Sequence, residues 1–512
     1  MGNIKSPSLG SLRSVTDGEN REGEVLEVGS PKGPWILENL RQFDSWIQKK
    51  TNFESQGVER QVFTEQQRPP TIDIMLIWFS VILNPEYLGV GLLGPILGVS
   101  VRDSVICVAI STILGSLLPA FTGIHSPSTG LRQIAVARYS FGLWGSKVCS
   151  VFNLITNVGW GVIACILAGD MLRAVSEETL DISIGIVIVL ILALTVCFLG
   201  YGFVHHWERY AWILVFILMI AQFAQAARYF PSDLGQTTLS GRDYYGACLT
   251  FVAITLGTST PWCSVVGDYY IHYPTNIDKR LIASLTWLGI ALPTLFVNLL
   301  GVFIGGAIMS NEELSQTYSA GGIGSVILFT MRPTGFAKFV GVIYGLSLLS
   351  TLSVAIYSSA LSVQLLSRKL QGIPRFICTI FVALVCLALA LGGRNRLHAI
   401  LSNFLPFLAY WSVAFGLILA MEHFIFRKGL GGYNAECWDD PQRLPPGIAG
   451  TAALLSSFGL SFLGMNQTWF IGPIAGKIGV YGGDVGNYIV ICVVIVIYIP
   501  TRAYEIKHLR RA

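Results

Sequence analysis

The sequence predicts an all-α membrane protein of twelve transmembrane helices. They form two inverted repeats of five, with helices 1 and 6 broken, and two peripheral helices follow. Three observations carry this prediction. Of the 512 residues, 53% are hydrophobic and only 12% charged, about half the ~25% charge of water-soluble domains. Apolar runs of roughly 20 residues, the length that crosses a bilayer as a helix, recur along the chain. Two of these runs are interrupted by Pro and Gly, five runs apart.

Residues 1–70 are polar and contain no apolar core of signal-peptide length, so they read as a largely disordered cytoplasmic tail. Within it, Trp35, Ile36, Leu40, Phe43, Trp46 and Ile47 predict a short amphipathic helix over 34–49. The membrane domain covers 71–502. Its spans are expected at 73–99, 101–122, 147–174, 182–204 and 208–229 for the first repeat (73–229). Those of the second repeat (245–426) fall at 245–267, 281–310, 338–367, 374–393 and 398–426. Peripheral helices follow at 446–466 and 485–502, then a basic tail over 503–512. Polar residues and glycines dilute spans five and eleven most. Strand-period alternation is absent, which excludes a β-barrel. With both termini on one side, 25 of the 34 Lys and Arg fall on that side, although Arg394 and Arg396 do not. The positive-inside rule therefore puts both termini in the cytoplasm.

A net charge of +4 gives no reason to expect nucleic acid as a partner. The ten cysteines are scattered through apolar runs, with no CxxC pair and no neighbouring His, which argues against a metal site or a disulfide framework. Walker, GxSxG and HExxH patterns are missing, so ATP-driven pumping and common hydrolase chemistry lack their residues. No cofactor is expected. A membrane-embedded enzyme would need convergent acid–base clusters on facing spans.

The first interrupted run reads Asn84-Pro-Glu-Tyr-Leu-Gly-Val-Gly-Leu-Leu-Gly-Pro95-Ile-Leu-Gly98, with two prolines and four glycines. The second reads Leu256-Gly-Thr-Ser-Thr-Pro261-Trp262-Cys-Ser-Val-Val-Gly267-Asp268. Proline removes a backbone donor and clashes with the preceding turn. Each break could be an ordinary kink. A matched pair, however, marks the midplane of inverted-repeat carriers, where unwound peptide groups grip a small-molecule solute.

Ionisable residues within spans are costly and point to function. Glu208, at the start of span five, is a proton-coupling candidate, or else a salt bridge with Arg209 or His206. Glu86, in the broken part of span one, is a second candidate, at the entrance or at the centre. Asp268 reads as an inner gate or the partner of a loop cation, and Asp170 as the partner of Arg173. His205 and His206 read as solvated loop residues.

A series of short words then appears in order. They are Gly91-x-x-Gly94-Pro95 with Asp103-Ser104, Ser128-Thr-Gly-Leu-Arg-Gln133, Arg138-Tyr-Ser-Phe-Gly142, Asn153 and Gly159-Trp160. Gly200-Tyr201-Gly-Phe-Val-His205-His-Trp-Glu208-Arg-Tyr210-Ala-Trp212 follows. The series closes with Trp262, Gly267-Asp268-Tyr269, Tyr273-Pro274 and Tyr357-Ser358-x-x-Leu361-Ser362-x-Gln364. Together they resemble the purine–cytosine permease branch of the nucleobase–cation symporters, in particular its fungal members, over most of 73–370. The resemblance implies a LeuT-like carrier in the plasma membrane that takes up nucleobases or related heterocycles, driven by protons in preference to sodium. It implies a substrate ring sandwiched between Trp160 and Trp262, with Gly91 at the same site. Ala164 and Ala355 stand where the family carries amides, which points away from cytosine or adenine. A vitamin B6-like pyridine or a secondary metabolite, or a non-transporting receptor role, is the alternative.

Overall fold

The computed structural model describes residues 59–61, 69–199 and 201–509, with the side chains of 199, 201–209 and 368 left outside the description. The predicted helix over 34–49 and the side chains of Glu208, His205 and His206 lie outside the described residues.

Span 1 is a bent pair, Asp73–Ile82 and Pro85–Ile96, meeting at 60°. Its break falls before Pro85. Asn84 is extended, and its side chain accepts from the Glu86 amide at 2.8 Å, while Pro85 occupies the first helical turn. A capping Asn followed by Pro starts a new helix, because Pro's missing N–H falls where no intrahelical bond is required. The expectation that the run from Asn84 to Gly98 is interrupted within is corrected: the break falls at its first residue, and Pro85–Ile96 is one helix that runs through Pro95. Pro95 falls in the last turn, two residues before the C-cap Leu97.

Span 2 comprises Val101–Gly115 and Leu117–Thr122, and span 3 is Arg138–Val175. Within span 3, Gly142 (φ 63°) sets off the first turn from the helix proper. Spans 4 and 5 are Ile182–Leu199 and Tyr201–Ala226. Span 6 runs Gly241–Ser259, tightens to a 3-10 turn over Thr260–Ser264 around Pro261, and resumes as Gly267–Tyr270. Spans 7 to 10 are Lys279–Ser310, Thr334–Leu366, Arg375–Gly393 and Leu397–Met421. Ile448–Ser461 and Gly486–Leu509 follow as helices 11 and 12.

Among the described residues, nine helices are long and apolar enough to cross a bilayer, or ten with the bent pair taken as one. Ile182–Phe198 and Ile448–Ser461 are shorter apolar helices. They stand at predicted spans four and eleven; span five, expected to be weak, reaches full length over Tyr210–Tyr229. Large apolar side chains such as Ile106, Ile110, Ile191, Ile217, Leu384 and Val496 point outward, as lipid-facing surfaces do.

A further helix, Glu312–Thr330, lies between spans 7 and 8, where hydropathy predicts no element. Its Gly324 amide donates to Asp170 Oδ2 at 2.8 Å, and Arg173 bridges Asp170 Oδ1 (3.1 Å) and the Gly321 carbonyl (2.9 Å). The expected Asp170–Arg173 pair is therefore present, and it anchors this helix.

Spans 1 and 7 touch backbone to backbone. A Cβ on Gly91 would stand 2.1 Å from the Asn298 carbonyl oxygen, and one on Gly301 would stand 2.2 Å from that of Leu88. Small residues give this close approach, as is usual where membrane helices pack. Gly91→Ala is expected to cost about 1–3 kcal/mol of stability through overpacking, seen as a lowered melting temperature in detergent. Gly392→Ala, which meets nothing within 4 Å, should leave it unchanged.

Candidate functional site

The span 1 break lies against span 8, where Asn84 meets Thr351, and the span 6 break packs on spans 2 and 10 and reaches span 3 through Ser264 and Asn153. Trp160, on span 3, is buried, and its indole stacks on the Tyr87 ring (centroids 5.7 Å apart, planes 17°). Trp262, in the 3-10 turn of span 6, donates from Nε1 to the Tyr87 hydroxyl at 3.2 Å. Both predicted indoles thus meet at one place, joined through Tyr87, a residue that the sequence reading did not single out. Trp78 extends the cluster: its ring centre is 5.2 Å from that of Trp262, and its Nε1 donates to the Tyr270 hydroxyl at 2.6 Å.

Ala164 lies one turn beyond Trp160 and is fully buried. Ala355, on span 8, faces Gly161, where an added Cβ would come within 3.7 Å of its own. The wall between spans 3 and 8 is therefore narrow and apolar. Gly91 sits elsewhere, in the contact with span 7, so its backbone serves helix packing.

Polar groups at the break of span 1 are mostly satisfied within the protein. The Asn84 amide nitrogen donates to the Val81 carbonyl (2.7 Å) and to Thr351 Oγ1 (2.9 Å). Thr351 donates in turn to the Val81 carbonyl (2.8 Å), and the Asn84 backbone N–H to the Ile82 carbonyl (2.8 Å). At the span 6 break, Thr122 donates to the Cys263 carbonyl (2.8 Å) and Ser264 to Asn153 Oδ1 (2.7 Å). The expectation of bare peptide groups is corrected accordingly: side chains already hold several of them. Glu86 is different. It is fully buried, and among the described residues neither carboxylate oxygen has a hydrogen-bond partner.

Asp268 lies in the short helix Gly267–Tyr270 that ends span 6. Its Oδ1 accepts from the Gln133 amide (2.9 Å) and its Oδ2 from Ser358 (3.5 Å). Arg132 donates to the Asp268 carbonyl (3.2 Å) and the Tyr357 hydroxyl (3.1 Å), and the Arg375 guanidinium lies 4.5 Å over the Tyr357 ring. On the opposite side a cavity of about 410 Å³ reaches down to Gly89 and Ile166 between Asp170, Tyr318, Arg394 and His398. Gly89 lies one turn above Glu86.

A family model described as permease for cytosine/purines, uracil, thiamine, allantoin matches residues 61–486. The purine-cytosine permease fcyB of Emericella nidulans is 34% identical, covering 90% of each chain. The vitamin B6 transporter TPN1 of Saccharomyces cerevisiae is 30% identical over 96% of this chain and 95% of its own length. Among solved structures, Mhp1, a nucleobase-cation-symport-1 family transporter in a closed conformation with bromovinylhydantoin bound, superposes with a TM-score of 0.64. It is 16% identical and covers 89% of this chain and 95% of that one. A Na+-coupled sialic acid symporter gives 0.61 at 12% identity, over 91% and 97%. The architecture is therefore that of LeuT-like carriers.

Proposed function

The chain belongs to the family of permeases for cytosine/purines, uracil, thiamine and allantoin, and from that membership we propose how it works: a small planar heterocycle, nucleobase-like, is held between Trp160 and Trp262 and carried with a proton. It is a secondary active transporter and not an enzyme. The observation that carries the site reading is the Tyr87 ring, which lies flat on Trp160 and is bonded by Trp262. A solute ring takes that place against Trp160 when Tyr87 turns away. An indole face adds about 0.5–1.5 kcal/mol of stacking beyond area burial.

Two features support a proton over sodium. Unwound carbonyls at a broken helix are where such carriers hold a sodium ion. Here the carbonyls of Val81 and Ile82 already accept N–H and O–H donors from Asn84 and Thr351. Glu86 offers instead a buried carboxyl with no counter-ion among the described residues. Glu208 remains the second coupling candidate. Asp268 acts as the inner gate, with Arg132, Gln133 and Ser358. The termini lie in the cytoplasm, uptake runs inward from the far-face cavity, and the plasma membrane is the site of action.

A second reading has its own support. Ala164 and Ala355 leave the wall apolar, and a vitamin B6 transporter is 30% identical over nearly the whole chain, so a pyridine-type solute is the alternative cargo. Competition by nucleobases, pyridines and allantoin-like compounds against one labelled solute, in proteoliposomes with an imposed pH gradient, tests both. Accumulation that a protonophore abolishes and sodium replacement leaves intact is expected. Binding without accumulation would mark a receptor. Ala355→Asn returns an amide to the wall and is expected to raise the share of competition by purines and pyrimidines about tenfold; an unchanged profile would contradict this placement of Ala355.

A further inference from the structure

Among the described residues, Glu86 is a buried acid neither of whose carboxyl oxygens has a hydrogen-bond partner. Two donors lie beside it, Asn84 and Thr351, and both are already engaged. Asn84 directs its amide hydrogens to the Val81 carbonyl and Thr351 Oγ1, and Thr351 directs its only hydrogen to the Val81 carbonyl. Neither Glu86 oxygen receives a bond, and the residue is 0% exposed. Burying a charge unpaired costs far more than burying a neutral acid. The neighbours of that carboxyl are the solute site itself. Tyr87, next in the chain, covers Trp160. Thr351, one turn from Ala355 on span 8, is joined to Asn84, whose side chain caps the Glu86 amide. The far-face cavity ends at Gly89, one turn above.

We propose that the Glu86 carboxylic acid is itself the group that reads the solute's polar edge, so that one proton serves both recognition and coupling. This rests on the ring site between Trp160 and Trp262 proposed above. An acid presents an O–H donor and a C=O acceptor side by side. The solute that matches is a planar heterocycle with an unprotonated ring nitrogen beside an amino group, an amidine-type edge. The ring nitrogen accepts from the acid O–H, and the amino N–H donates to the acid carbonyl. The proton stays shared between oxygen and nitrogen, and no bond to carbon changes. A ring nitrogen about as basic as a carboxylate allows that proton to shift and the pair to become charge-assisted, which strengthens both bonds in a dry site. A lactam edge offers a C=O that is too weak a base for this. The two alanines on spans 3 and 8 then carry no polar task, because the edge is read from span 1.

The experiment measures binding of adenine and cytosine, with hypoxanthine and uracil as lactam counterparts, to the purified full chain in proteoliposomes across about pH 5 to 8. The wild type is expected to bind the amidine-edged bases about tenfold more tightly than their lactam counterparts, with affinity falling as pH rises. Glu86→Gln keeps a donor and an acceptor side by side. It is expected to bind adenine within a few-fold of the wild type, lose the pH dependence, and no longer accumulate solute against a gradient. Glu86→Leu is expected to lose binding at least about tenfold while its melting temperature stays at or above that of the wild type. A Glu86→Gln variant that keeps the pH dependence, or a Glu86→Leu variant that binds as well as wild type, overturns the proposal, as does a preference for the lactams. Absence of binding by all four bases, or binding that survives Trp262→Ala, would instead overturn the ring site on which it rests.

Discussion

Trp262→Ala is expected to reduce uptake by on the order of a hundredfold while the protein still reaches the membrane. Two losses combine. The solute ring loses the indole of the span 6 break, and Tyr87 loses the donor that fixes its hydroxyl at 3.2 Å. Truncating a buried aromatic anchor typically costs at least about 2 kcal/mol of binding, and 3 kcal/mol is about a hundredfold. Trp78 remains, but it packs against Trp262 from 5.2 Å and at a 57° tilt, so it cannot take over the missing face. Trp144→Ala is the matched control. That indole is 76% exposed on the outer surface, and its removal should leave uptake within about twofold, as surface substitutions generally do. Uptake of one labelled solute at fixed surface expression decides between the two outcomes.

The largest effect on stability is expected at the base of span 10. Glu422 is fully buried and receives four donors there: Arg502 through Nη2 (2.7 Å) and Nε (2.9 Å), Arg427 through Nε (2.9 Å), and the Tyr498 hydroxyl (2.7 Å). Arg502 also meets Glu505 at 3.2 Å, and Glu505 accepts from the Ala449 amide at 2.9 Å. One carboxylate therefore ties span 10 to helix 12, and Glu505 ties helix 12 to helix 11. Glu422→Leu leaves the Arg502 guanidinium buried with half of its partners and the Tyr498 hydroxyl without an acceptor. Removing one partner of a buried pair costs about 3–5 kcal/mol, expected as a clear drop in melting temperature and in delivery to the membrane. Replacing both Glu422 and Arg502 with Leu should recover part of that loss, because no charge is then stranded. A double variant no more stable than Glu422→Leu alone would contradict the account.

Much of this was legible in the chain, for reasons that differ by element. Long apolar runs follow directly from bilayer thickness, so the bounds expected for spans 7, 9 and 10 agree with Lys279–Ser310, Arg375–Gly393 and Leu397–Phe426 to within about two residues. The Pro and Gly content of 84–98 points to a break in span 1 without fixing where in that run it falls. The sharper signal was Asn84-Pro85-Glu86, a capping residue followed by Pro, which starts a helix wherever it occurs. The helix over Glu312–Thr330 was missed because its Ser, Gly and Glu content gives it neither a hydropathy peak nor a clear face.

At the site, Trp160 and Trp262 were found through family resemblance and do come together around Tyr87. Tyr87 itself was invisible because nothing local tells which face of a short half-helix turns inward. Gly91 illustrates the converse difficulty. A glycine in a broken segment can free the backbone for a ligand or for a neighbouring helix, and only the Asn298 carbonyl across the contact distinguishes the two. Glu86 was noted for its charge at depth. What makes it informative is that its neighbours' hydrogens are all in use, a property of three-dimensional placement that no spacing encodes.

The central claim is that a solute ring displaces Tyr87 and lies against Trp160, with Trp262 on its other side and Glu86 at its edge. A structure of the full chain in lipid nanodiscs with a transported heterocycle bound tests it most directly. The account predicts a flat ring within stacking distance of Trp160, Tyr87 turned off that indole, and a polar edge within hydrogen-bond reach of Glu86. A solute held instead in the far-face cavity beside Arg394 and His398, with Tyr87 still stacked on Trp160, would contradict it.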